Sequence, residues 1–146
     1  MDDQHREFLT SLEADRTRHS GRTLFEHLKG VHDLLRDWDN PEEVCLAGLY
    51  HSIYGTDTFH HKSLADRGRL KDMIGDHAEF LVHCFSTKDR PLFESIDDPL
   101  IRTQLMEIEV ANLIEQGSKS GNALRKLARM KQLSNGAKAA LNNGGM

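Results

Sequence analysis

A histidine, a serine and a carboxylate follow one another closely in the sequence where an apolar helix is predicted to end. His51 and Ser52 come directly after the run 44–50, which is apolar up to Tyr50, and Asp57 follows a Gly-Thr turn. An imidazole and a hydroxyl buried beside a turn must find hydrogen-bond partners or lose free energy. A second histidine, His27, lies in the preceding amphipathic segment, where it can face inward. The pattern therefore indicates a polar site between two neighbouring helices.

Two imidazoles and a carboxylate are ligands that Zn²⁺ and iron accept in proteins, and an open position on such an ion activates water. We therefore predict His27 and His51 as ligands of a divalent metal (Mn, Zn or Fe). Asp57 is the predicted general base or a further ligand. The alternative is a polar knot in the core, in which the same groups hold the helices together by hydrogen bonds. The other candidates for completing the site are Asn112, Glu109, His60 and His61.

Three residues near these histidines could bind phosphate. Arg22 can pair with phosphate oxygens, Ser52 can donate its hydroxyl, and the backbone around Thr56 can offer N–H groups. Each also has a structural interpretation. Arg22 suits a surface ion pair, Ser52 can bond its own backbone, and the segment at Thr56 can be a plain turn. Arg22, Ser52 and Thr56 are therefore the predicted substrate-binding residues of a site whose substrate carries phosphate.

The elements that would position these residues are helices. Hydrophobic residues recur at spacings of three and four, and capping residues such as Thr23, Asn40, Asp76 and Asp98 precede several of the repeats. The short joint at 39–43 makes the second and third helices antiparallel neighbours, which brings their histidines together. The predicted helices cover 3–19, 22–38, 41–51, 64–75, 76–85, 99–116 and 122–133.

Composition restricts the class of protein further. The chain has 146 residues, enough for one core, and no run approaches the ~18 apolar residues of a membrane helix. Two cysteines in apolar runs and an acidic, polar N-terminus predict a cytoplasmic protein with reduced thiols. Residues 1–115 hold 13 basic and 23 acidic side chains, whereas 116–146 hold 6 basic and none acidic. We predict that this basic segment packs on the acidic body and that nucleic acid is an unlikely partner.

Several motifs, taken in order, resemble the HD-domain superfamily, and most closely its RelA/SpoT-type guanosine tetra/pentaphosphate hydrolases. The opening motif of that group is similar to His19-Ser20-Gly21-Arg22, and its first metal histidine falls at His27. Its His-Asp pair falls at His51-Ser52. Its Phe-Gly-Glu-x-Val-x-x-Leu-Val segment resembles residues 74–82, and the helix with the last ligand resembles 109–113. The sequence also resembles an uncharacterised family of small proteins that carry His-Ser-Ile-Tyr-Gly-Thr.

The resemblance implies an all-α bundle and a metal-dependent phosphohydrolase, but two metal positions depart from the pattern. Ser52 and Asn112 stand where the family has aspartates, and neutral Ser and Asn are weaker ligands for a hard divalent ion. Two functions therefore remain open. One is a divergent phosphohydrolase acting on a nucleotide-like phosphoester. The other is a degenerate domain that binds a small molecule or a protein. A third possibility, an iron oxygenase, would need more ligands than these residues supply.

The sequence thus predicts an all-α, HD-like bundle of six or seven helices. Its predicted parts are an HD-like helical domain at 1–116, a basic helix at 117–135 that packs on it, and a disordered tail at 136–146. The composition of the tail, rich in Asn and Gly, is the reason for the last prediction.

Overall fold

The computed structural model describes residues 3–11, 18–19, 22–54, 67–117, 121–130 and 132–144. Within these ranges the chain is all-α, as predicted, with eight helices instead of six or seven. None of the described helices combines the length and the apolar character needed to cross a bilayer. The helices are α1 (Asp3–Ser11), α2 (Leu24–Asp37), α3 (Glu42–Leu49), α4 (Arg67–Ile74), α5 (Asp76–Thr87), α6 (Pro99–Glu115), α7 (Gly121–Ala128) and α8 (Asn135–Gly144).

The predicted first helix is too long at its C-terminal end. Helix α1 ends at Ser11, and β1 (Arg18–His19) pairs with β2 (Arg22–Thr23) in a two-residue antiparallel bridge. The bridge delivers the chain to α2 in the extended conformation that a capping residue needs. Thr23 then caps α2, because its hydroxyl accepts from the Glu26 backbone N–H while the Glu26 carboxylate accepts from the Thr23 N–H.

Helices α2 and α3 pack closely, as the short joint between them predicts. Gly48 faces Val31 and Leu35, and a Cβ at this position would collide with the Leu35 side chain. Glycine therefore suits the close approach of the two helices, and a larger residue would force the Leu35 side chain to move. The cap predicted for α3 is wrong. Asn40 lies one residue too early, and its Nδ2 instead donates to the Leu35 carbonyl and to Glu107 Oε1, at 3.2 and 3.0 Å.

Helix α6 runs through the middle of the bundle and contacts α2, α3, α5, α7 and α8. Its start was predicted correctly. Asp98 Oδ1 accepts from the backbone N–H groups of Leu100 and Ile101, and Pro99 occupies the first turn. Ten consecutive residues, 104–113, are buried. This helix also carries buried polar groups. Asn112 bonds to His27 at the candidate site, and Glu107 bonds to Ser134 at the start of α8.

The predicted disordered tail, 136–146, is wrong for residues 136–144, which belong to helix α8. Ser134 caps the helix, accepting from the Ala137 N–H, and its own hydroxyl and N–H donate to the buried carboxylate of Glu107. Ala137 and Leu141 are buried one turn apart. Gly136 also faces the bundle, because a Cβ at this position would meet the Trp38 ring, so the packing side of α8 includes one of the glycines. The basic helix α7 is also shorter than the predicted range 117–135, because it ends at Ala128.

Helix α7 packs on the bundle through apolar contacts. Leu124 and Leu127 are buried, whereas Arg125, Lys126 and Arg129 are exposed on the opposite side. Arg125 donates to the side chain of Asn122 within the same helix, at 2.7 Å. Arg125, Lys126 and Arg129 therefore place their charges in solvent, while the described contacts of α7 with the bundle are hydrophobic.

Candidate functional site

The structure brings His27 and His51 together inside the bundle. His27 projects from the core-facing side of α2, and His51 lies in the turn after α3. Their rings are 5.4 Å apart between centroids and meet edge to face at 76°. Both are nearly inaccessible, with 1% and 4% of their surfaces exposed. The close packing at Gly48 is what permits two rings from adjacent helices to meet at this distance.

The hydrogen bond of His51 fixes its tautomer. Nδ1 lies 2.7 Å from the carbonyl oxygen of Gly48. Because a carbonyl oxygen only accepts, Nδ1 carries the hydrogen, and in the neutral ring the lone pair is then on Nε2. The opposite face of the ring is covered by Phe85, whose centroid is 5.2 Å away, and Phe93 packs behind Phe85 at 5.8 Å. The hydrogen bond to Gly48 and the packing against Phe85 both hold the His51 ring in place.

Asn112 links His27 to a buried carboxylate. Its Nδ2 donates to Glu109 Oε1 at 3.1 Å, which leaves its Oδ1 facing His27 Nε2 at 3.0 Å. An amide oxygen accepts, so His27 Nε2 carries the hydrogen of this bond. The other ring nitrogen, Nδ1, is 3.5 Å from Glu115 Oε1. The order His27, Asn112, Glu109 therefore forms a hydrogen-bonded chain between α2 and α6.

Glu109 has a perturbed acidity at the end of this chain. Burial raises the pKa of its carboxyl above the ordinary value of 4.5, and the nearby charge of Arg90 and the hydrogen bond from Asn112 only partly oppose this. Arg90 Nη1 is 4.0 Å from Glu109 Oε1, and its guanidinium lies 4.9 Å over the Phe85 ring. Since 45% of the Arg90 side chain is exposed, this cation lies at the rim of the site.

The described residues do not fit a divalent metal. Among them, no group of three His, Cys, Asp or Glu side chains is placed to hold an ion. His27 Nε2 is committed as a donor, and the Oδ1 of Asn112 is occupied by that bond. Asn112, predicted as a metal ligand, thus contacts the predicted ligand His27, but as a hydrogen-bond acceptor. Ser52 is buried next to His51 in the chain, where it was predicted.

Several predicted site residues lie outside the described part of the chain. They include the predicted base Asp57, the predicted phosphate ligand Thr56 and the alternative ligands His60 and His61. The backbone of Arg22 is described in β2, but its side chain is not. Their predicted roles therefore stay predictions.

A buried carboxylate that the sequence did not predict joins the two sides of the interval 55–66. Glu79, on α5, is completely buried and accepts from Arg67 Nε and Nη2 at 2.7 and 2.9 Å. It also accepts from the Tyr54 hydroxyl at 2.8 Å. Tyr54 directly precedes the interval and Arg67 directly follows it. The only signal in the sequence was a glutamate on the apolar face of a helix, beside Ala78 and Val82.

Sequence reasoning also missed Arg90 and Glu115 as neighbours of the histidines. Glu115 lies one turn beyond Asn112 on the same face of α6, so the spacing of three residues was available as a signal. Arg90 comes from an irregular segment, and no local pattern connects it with residue 109. Its position depends on the packing of Phe85 and Phe93.

Comparison with known proteins gives one result. The model of a family described as "Domain of unknown function (DUF6817)" matches residues 8–90, which is more than half of the chain. No curated protein and no solved structure matches. The matched segment contains His27 and His51 but stops before α6, which carries Asn112 and Glu109. The chain belongs to the DUF6817 family.

Proposed function

We propose that this chain is a small-molecule-binding domain, an HD-like bundle whose histidine cluster no longer performs metal-dependent catalysis. The observation that carries this proposal is the hydrogen bond from His27 Nε2–H to Asn112 Oδ1. In this bond His27 Nε2 donates a hydrogen, so it has no lone pair with which to bind a metal. Glu109 in turn fixes the Asn112 amide. This chain of hydrogen bonds is buried, so it fixes the positions of α2 and α6 behind Arg90 and preorganises the rim of the site.

The ligand class follows from the charges around the cluster. Arg90 offers an exposed guanidinium at the rim, and a guanidinium binds phosphate oxygens in a bidentate manner. Behind it, the buried His51 ring packs against the His27 and Phe85 rings, so the interior side of the rim is aromatic with polar nitrogens. A small phosphorylated molecule, with its phosphate at Arg90 and a polar head directed toward the histidines, matches this arrangement. Nucleoside phosphates are the first compounds to test.

The test is a calorimetric titration of the purified protein with inorganic phosphate and with nucleoside mono-, di- and triphosphates in EDTA. We expect saturable binding without metal, weakened by about tenfold or more in Arg90→Gln. Arg36→Gln is the matched control, because Arg36 is an exposed arginine on the outer side of α2. Absence of binding both in EDTA and with added Mn²⁺ would contradict the proposal.

The divergent phosphohydrolase remains a second candidate, and one observation favours it. The hydrogen bond from His51 Nδ1 to Gly48 places the lone pair on Nε2, which is the tautomer that metal-binding histidines adopt when a carbonyl holds the other nitrogen. Asp57 would have to supply a missing carboxylate. Binding or phosphate release that requires Mn²⁺ or Zn²⁺, and is lost in His51→Ala, would support this candidate over the first.

A further inference from the structure

A second concave site lies where α5, the segment 88–98 and the start of α6 meet. We call it the α5–α6 groove. It has a volume of about 380 Å³, within the range of small-molecule sites. Cys84, Ile96 and Ile101 are its apolar lining residues, and Phe80 forms one edge. None of the residues of the histidine cluster lines it. The groove is therefore independent of the function proposed above.

The groove also coincides with apolar surface exposed to solvent. In the described part of the chain, the large hydrophobic residues with exposed surfaces are Phe80, at 44%, and Leu100, at 62%. Phe80 lines the groove, and Leu100 precedes its lining residue Ile101. Apolar surface concentrated around one concavity is typical of a binding site, whereas scattered exposed residues carry no such meaning.

Hydrogen bonds hold the outer wall of the groove in place. The carboxylate of Asp89 accepts from the backbone N–H groups of Glu94 and Ser95 and from the Ser95 hydroxyl, at 3.1, 3.2 and 2.6 Å. Arg102 Nε donates to the Leu92 carbonyl at 2.7 Å. Phe93 anchors the same segment in the core. The groove is thus preformed, which lowers the entropic cost of binding.

Lys88 and Asp97 line the same groove without pairing, whereas the carboxylate of Asp98, which also lines it, caps α6. Lys88 and Asp97 are both exposed, and both contribute to the lining. Neither side chain forms an ion pair with the other or a hydrogen bond elsewhere in the described residues. A ligand with one anionic and one cationic group on an apolar body could satisfy both. A ligand with a single charge would leave one of them unused.

We propose that the α5–α6 groove binds a free amino acid with a large apolar side chain. Lys88 would pair with the α-carboxylate and Asp97 with the α-ammonium group. The side chain would lie against Cys84, Ile96 and Ile101, where it also covers Phe80. Binding is non-covalent, and it requires neither a metal nor the histidine cluster.

The experiment compares L-phenylalanine and L-leucine with analogues that lack one charge, by calorimetry and by amide chemical shifts of the intact protein. We expect saturable binding of both amino acids, and affinity about tenfold lower for phenethylamine and for 3-phenylpropionate. The shifts should concentrate on residues of α5, 88–98 and the start of α6. Absence of saturation at millimolar concentrations, or equal affinity for the singly charged analogues, would overturn the proposal.

Variants separate this site from general effects on the fold. Lys88→Gln and Asp97→Asn should each weaken L-phenylalanine by about tenfold, and Ile101→Glu should abolish binding. Lys71→Gln and Asp72→Asn, exposed on α4, are the matched controls and should bind normally. Melting temperatures show whether each variant is folded. If instead the intact protein dimerises and Ile101→Glu makes it monomeric, the groove is covered by a second copy and the amino-acid proposal is wrong.

Discussion

The Nε2–H group of His27 donates a 3.0 Å hydrogen bond to Oδ1 of Asn112, although 85 residues separate the two in the chain. This bond holds α2 against α6 at the level of the candidate site. In the pattern that the sequence resembles, residue 112 would be an aspartate that binds metal. An amide at this position satisfies the same histidine without a metal. The bond therefore gives a physical role to Asn112, which stands where the resembled pattern has an aspartate.

Restoring the missing carboxylates should restore metal binding if the bundle is HD-like. The double variant Ser52→Asp/Asn112→Asp adds two anionic oxygen ligands beside His27 and His51. We expect it to bind about one equivalent of Mn²⁺ or Zn²⁺, measured by elemental analysis and calorimetry, more tightly than the wild type does. The matched control is Ser86→Asp, an exposed serine on α5. A folded double variant without gain of metal affinity would count against the HD resemblance.

Glu109 should make the protein less stable as the pH rises. Burial raises its pKa above 4.5, so the folded state holds the proton in a window where the unfolded state has lost it. Stability is then lost as the pH rises through that window. Glu109→Gln should remove this part of the pH dependence. At neutral pH its free energy of unfolding should equal that of the wild type or exceed it by about 1 kcal/mol at most.

Denaturant unfolding at several pH values measures the effect of Glu109. Glu94→Gln, which changes an exposed glutamate, is the control and should leave the wild-type profile unchanged. The explanation fails if Glu109→Gln retains the full loss of stability between acidic and neutral pH.

Glu79 should have the opposite dependence. Burial opposes its charged form, but the hydrogen bonds from Arg67 and Tyr54 outweigh burial and lower its pKa below 4.5. Its contribution is therefore complete above the unfolded-state pKa and is lost as the pH falls through the folded-state value. Glu79→Gln should lose roughly 2 kcal/mol at neutral pH and show a weaker acid transition than the wild type.

Two comparisons sharpen this test. Tyr54→Phe removes one of the hydrogen bonds and should cost about 1 kcal/mol. Glu43→Gln, exposed in the first turn of α3, should change neither quantity. Wild-type stability in Glu79→Gln would show that the carboxylate does not hold Tyr54 and Arg67 together.

Ser134 should determine whether α8 stays docked. Ser134→Ala removes the helix cap and leaves the buried Glu107 carboxylate with fewer donors, so we expect a loss of about 1–3 kcal/mol. Amide exchange should increase across 135–144 more than in α6. Ser134→Thr keeps the hydroxyl and should retain most of the stability, and Gln132→Ala, at an exposed position, is the control. Equal exchange in Ser134→Ala and the wild type would contradict the role of this serine.

Local patterns predicted much of the architecture. Periodic apolar residues identified α2 and α6, the Asp98-Pro99 pair marked the start of α6, and the short joint after α2 brought His27 and His51 together. These features depend on residues close in sequence. Whether the predicted roles of the two histidines are correct is a question for the titrations described above.

Long-range polar contacts were not predictable in the same way. Glu107 accepts from Asn40, 67 residues away, and from Ser134, 27 residues away, and neither partner carries a local signal of the pairing. The cap predicted at Asn40 failed because Pro41 is the N-cap of α3, which places Asn40 one residue too early. The tail was mispredicted because its order depends on the Glu107 carboxylate, which belongs to another helix.

Helix α6 lies beyond the end of the segment that matches the family model, although it packs in the middle of the bundle. The segment that matches the family model ends at residue 90, yet Asn112 and Glu115, which lie beside His27, come later in the chain. A fragment cut at residue 90 would leave the inner faces of α2 and α3 open to water and His27 without these partners. The segment that matches the family model is therefore shorter than the packed bundle, which extends at least to Ser134, the residue that anchors α8 on Glu107.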